Sequence, residues 1–106
     1  MDTSVNYILE NQHLVTLFTK ENINKLTFPK NDVLLLNNVE QQKERLLSII
    51  KAMHLGKDKI KVRILFEDYI GLKMVETTVW GISEKYTILK GDIILPIRCI
   101  HKVFFY

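Results

Sequence analysis

Cys99 and His101 sit two residues apart in "RCIH", and on a strand both would point to one side and offer two ligands to a metal. A tetrahedral site needs three or four ligands. The other histidines, His13 and His54, stand isolated in the sequence, and no second cysteine completes a Cys-x-x-Cys knuckle. The pair therefore reads as a small apolar thiol beside an imidazole, with no metal. Glu67 and Asp68 are adjacent carboxylates, but neighbours on a strand point apart and these two precede a turn, so they read as turn and surface residues. Ser4, Ser48 and Ser83 lack a Gly-x-Ser-x-Gly context, and there is no His-Glu-x-x-His. Gly71, Gly81 and Gly91 are each solitary, so no phosphate-cradling loop is written here. No catalytic residue and no cofactor is expected, and the chain reads as non-enzymatic.

Two sets of side chains suit binding instead. Lys59, Lys61 and Arg63 alternate along one run with Lys57 just before them, and Trp80 and Tyr86 flank a later turn. Together they could contact phosphates and stack on bases of RNA or single-stranded DNA. Charge leans the same way. Lys and Arg balance Asp and Glu at six each through Gly56, whereas beyond it nine oppose six and supply the whole net charge of +3. The second set is the aromatic run Phe104, Phe105 and Tyr106. Alternation turns two of these rings away from the third, which favours a homo-oligomer or protein partner at the C-terminal strand. Protein binding or self-association is the leading expectation, and nucleic-acid binding the alternative.

These residues need elements to hold them. "NNVEQQKERLLSIIKAMHLG" predicts an amphipathic helix over 38–55, with Asn38 as N-cap, Gln41 in the capping-box position and Gly56 as its terminator. Leu46, Ile49, Ile50 and Met53 form its expected core stripe. "KIKVRILFED" alternates Ile60, Val62, Ile64 and Phe66 with Lys59, Lys61, Arg63 and Leu65, the pattern of a strand with one apolar and one basic face. "LKMVETTVWGI" changes phase, with Leu72 and Met74 on one parity and Val75, Thr77 and Val79 on the other, which requires a bulge or bend. "YTILK" and "IILPI" add strands joined by Gly91–Asp92, and Pro96 marks a corner before the last strand. Residues 1–37 read as a lead-in with a short helix or irregular start and a strand at Val33–Leu36. The expected fold is α+β, an amphipathic helix packed on a bent antiparallel meander of four to five strands over 58–106, able to close as a small barrel.

The stretch "VETTVWGISEKYTILKGDIILPIRCIHKV" resembles the strand plan of Sm-like and SH3-like small β-barrels. In those folds a bent second strand, a hairpin and an Ile-Pro-Ile segment lead through a short 3₁₀ step to the closing strand. Ile94, Pro96, Ile97, Ile100 and Val103 follow that pattern with one extra residue before the proline, and the resemblance covers Ile60 to Val103. It implies a fold and no particular activity.

A chain of 106 residues is one domain, 47% hydrophobic and 25% charged. The start "MDTSVNYILENQ" lacks a basic and then apolar leader, and no run reaches the roughly 20 apolar residues of a membrane span. The expectation is a cytoplasmic protein without a membrane segment, its single cysteine reduced.

Overall fold

The run after Asn38 becomes helix α1, Val39–Lys57, in a computed structural model that describes residues 17–35 and 37–105. The Asn38 side-chain oxygen accepts the Gln41 N–H at 3.1 Å, satisfying one of the unpaired donors of the first turn. Glu40 in the first turn and His54 and Lys57 in the last complement the helix dipole. Gly56 does not stop the helix. It lies inside the last turn, pressed against the Val79 backbone so closely that an added Cβ would overlap the Val79 carbonyl oxygen.

Six strands follow: β1 Val62–Glu67, β2 Leu72–Thr77, β3 Val79–Ile82, β4 Tyr86–Leu89, β5 Ile93–Pro96 and β6 Ile100–Phe104. They form two antiparallel sheets, β2-β1-β6 and β3-β4-β5. The count exceeds the expected four or five because the phase-changing run splits at Thr78, so one bent stretch serves both sheets. Pro96 ends β5, and the 3₁₀ turn Ile97–Cys99 carries the chain to β6, which pairs with β1. A single core joins both sheets to the helix through Ile49, Ile64, Phe66, Val79, Leu95 and Ile100. Opposite that core, Leu65 and Met74 pack with Leu72 and Phe104 in a smaller cluster.

Two expectations fail in the helix and its approach. Of the expected stripe, Ile49 is buried and Met53 packs against the core, but Leu46 is 44% exposed, and the other buried residues of the helix are Arg45 and Ala52. Small residues at 52 and 56 let the helix axis come close to β3, and that rotation turns the bulky leucines outward. Val33 and Leu34 belong to no strand. Asp32 instead accepts the Leu34 N–H at 2.8 Å in a side-chain-closed turn, and Val33 donates to the Arg98 carbonyl at 2.9 Å. Leu36 and the expected N-terminal helix or irregular start within 1–16 lie outside the described residues; within them, Lys20–Lys25 forms a 3₁₀ turn that buries Ile23.

Two ion pairs fix the loops. Arg45, 7% exposed, grips Asp32 with both terminal nitrogens at 2.8 and 2.7 Å and donates a third bond to the Ile100 carbonyl at 3.1 Å. Asp68, 2% exposed, accepts from the Ile70 and Gly71 N–H groups and from Lys73 Nζ at 3.1, 2.9 and 3.0 Å. The expectation that Asp68 is a surface residue is thus corrected, since the turn wraps around it. Burial pushes both carboxyls up, but the hydrogen bonds and the facing cations outweigh it and hold both below the ordinary value of 3.8. For Asp32 the outweighing groups are Arg45, the Leu34 N–H and the charge of His101; for Asp68 they are Gly71, Lys73 and Ile70. A carboxyl lowered on folding stabilises the fold above its unfolded pKa and loses that contribution as pH falls through the folded value. Urea midpoints should therefore hold steady near neutrality and drop as pH falls below 3.8. The acid drop should be shallower in Asp68→Asn, and an unchanged acid profile in that variant would refute the assignment.

Candidate interaction surfaces

The outward side of α1 is more apolar than a solvent face requires. Leu47 lies at its centre, 56% exposed, with Val39 and Leu46 also exposed along one flank and Glu40, Glu44 and Lys51 along the other. An open groove of about 460 Å³ runs beside the charged flank and is lined by Glu40, Lys43, Glu44, Leu47, Lys51 and Phe105, together with Ser48. Phe105 is half-buried and packs against the main core, and the Lys51 ammonium stands 4.4 Å from its ring centre. Phe104 is also half-buried, on the opposite cluster with Leu65 and Met74. The two rings thus separate as alternation requires, and Phe105 reaches the helix groove; Tyr106 lies outside the described residues.

A second apolar surface covers the outer side of β3-β4-β5. A bulge between Val79 and Gly81 inserts Trp80 as an extra residue, so that Trp80 is 51% exposed while Val79 points into the core. Tyr86 and Ile94 are exposed on neighbouring strands, and half-buried Ile88 lies opposite both Gly81 and Ile94. Gly81 leaves a shallow notch beside the indole, because a Cβ there would meet only the Ile88 side chain, at 3.6 Å.

The basic residues divide. Lys57, Lys59 and Lys61 are exposed at the corner between α1 and β1, which the contact of Gly56 with Val79 brings to the Trp80 end of β3. Arg63 belongs to another place: it is half-buried on β1, across from Glu76, with its Nε 3.4 Å from the Glu76 carboxylate.

Cys99 and His101 are not brought together. Cys99 closes the 3₁₀ turn inside the core, where its thiol donates to the Pro96 carbonyl at 2.9 Å and burial pushes its pKa up to about 12. His101, on β6, has its Nε2 2.9 Å from a Glu67 carboxylate oxygen. No match to this chain is found among protein-family models, characterised proteins or solved structures. The surfaces must therefore be read from their own chemistry. Among the described residues no group of three His, Cys, Asp or Glu could hold a metal ion, and no helix is long and apolar enough to cross a membrane.

Sequence reasoning missed the outward leucines because apolar spacing places residues on a stripe without saying which side of the helix approaches the sheet. The pair of small residues at Ala52 and Gly56, at helical spacing with Arg45 and Ile49, is the signal that marks the inner side.

Proposed function

We propose that this protein is a small non-enzymatic interaction module that associates with copies of itself, built on the SH3-like plan. The order of its strands supports that plan: a bent second strand shared by two sheets, then a hairpin, a 3₁₀ step and a closing strand against β1. The observation that carries the self-association is the outward placement of Val39, Leu46 and Leu47 while Ala52 and Gly56 face the sheet. Bulky apolar side chains left in water on a helix gain most from meeting a like surface. Sedimentation velocity over a wide range of concentration tests this. The intact chain should show a concentration-dependent dimer and Leu47→Asp a monomer of unchanged circular dichroism; a monomer at every concentration for the intact chain removes the reading.

A second reading, single-stranded nucleic-acid binding, is favoured by Trp80 and Tyr86 standing exposed on the outer side of β3-β4-β5, and by exposed Lys57 following Gly56, which meets the Val79 backbone next to Trp80. Trp80 is the single tryptophan, so its emission reports on that face alone. Oligothymidylate should quench it at low salt and less at high salt. Trp80→Phe would make the titration silent, so binding by that variant and by Trp80→Ala is followed with a labelled oligonucleotide. Loss of the ring should weaken binding by about tenfold. An emission spectrum indifferent to oligonucleotide at low salt rules this reading out.

A further inference from the structure

We propose that two copies pair through α1 in antiparallel orientation, about a two-fold axis that passes beside Leu47 and crosses the helix at right angles. This inference rests on the self-association reading and specifies its geometry. At 100° per residue, Leu47 is the middle of the outward side, Val39, Leu46 and Ile50 fall on one flank, and Glu40, Glu44 and Lys51 on the other. A two-fold axis of this kind lays each flank against the same flank of the second copy while reversing residue order. The apolar flanks then meet each other, with Leu46 close to the level of Ile50 in the second copy. On the charged flanks Glu44 comes level with Lys51 of the second copy, and Lys51 with its Glu44, because the two positions are nearly equidistant from Leu47. Glu40 comes near the level of His54.

A parallel pairing fails on the same residues. It would set the charged flank of each copy against the apolar flank of the other and bring Glu44 level with Glu44, leaving carboxylates desolvated without a partner. The antiparallel arrangement also sets the helix dipoles head to tail. Lys43 lies on the other side of Leu47, toward Ile50, and has Glu40 of its own helix three residues away, within side-chain reach. Phe105 holds the Lys51 ammonium at 4.4 Å, which restricts the side chain before its acidic partner arrives.

Charge reversal tests the register. Glu44→Lys and Lys51→Glu should each weaken the dimer about tenfold, because each turns two attractions into two repulsions, and the double variant should regain the original affinity. Thermal melts by circular dichroism should show both exposed single variants folding as the intact chain does. Cysteine placement tests the axis. Cys99 is fully buried, so an added thiol reacts alone. Leu47→Cys should oxidise readily to a covalent dimer, and Trp80→Cys, on the far sheet, should stay monomeric. A dimer indifferent to both charge reversals, a double variant without recovery, or cross-linking at Trp80→Cys in place of Leu47→Cys overturns the arrangement and leaves self-association standing. An intact chain that is monomeric at every concentration overturns both.

Discussion

Replacing Arg45 with alanine is expected to remove about 3–5 kcal/mol of unfolding free energy, the cost of leaving one member of a buried ion pair without the other. The loss has three parts. The Asp32 carboxylate keeps only the Leu34 N–H, the Ile100 carbonyl loses its side-chain donor, and the helix loses the largest group on its inner side. Arg45→Lys should recover little, because an ammonium cannot span both carboxylate oxygens and the Ile100 carbonyl at once. Replacing both partners together, Asp32→Asn with Arg45→Met, should cost less than Arg45→Ala alone. Urea denaturation followed by circular dichroism measures all three. A loss below about 1 kcal/mol in Arg45→Ala would mean that the pair behaves as a solvated surface bridge.

Gly56→Ala has the next largest expected effect. Alanine is favoured over glycine inside a helix by about 1 kcal/mol, so helix propensity alone predicts a more stable protein. The Val79 carbonyl occupies the place the methyl group needs, and backbone cannot move aside as a flexible side chain can. Relieving the overlap requires α1 to shift away from β3, and a net loss of about 2–3 kcal/mol follows. Gly71→Ala is the control, because nothing lies within 4 Å of a Cβ at that position. It should leave the unfolding midpoint nearly unchanged. A stabilised Gly56→Ala would show that the helix stands further from β3 than described.

Both positions mark where the sequence could be read and where it could not. The helix and its Asn38 cap, the alternation of Val62, Ile64 and Phe66, the bend forced by the change of phase and the corner at Pro96 were legible because each is a local pattern with one physical cause. The rotation of α1 was not local. It depends on how closely Val79 approaches Gly56 and on Asp32, 13 residues before Arg45, neutralising a charge at an inner position. An arginine within the helix reads as solvent-facing until its partner is known. Trp80 was legible as an aromatic flanking a turn, but its exposure follows from a single inserted residue in the β3–β4 ladder, which shifts every side chain after it. Val33 and Leu34 look like a buried strand by composition alone; the turn at Asp32 takes their backbone partners first.

The ladder between β1 and β6 sets an order of events at the ribosome. Arg63 lies opposite Phe104 and Ile64 opposite Val103, so β1 emerges about forty residues before its neighbour exists. Through that interval the nascent chain carries a finished helix with part of its seat missing, and Ile64 and Phe66 have no Val103 or Ile100 to cover them. Local hairpins such as β1–β2 and β4–β5 can form during synthesis, but closure must wait for the last strand. A chain stalled before Ile100 would present its core to chaperones and proteases, and one synthesised through Phe104 would withdraw it in a single step.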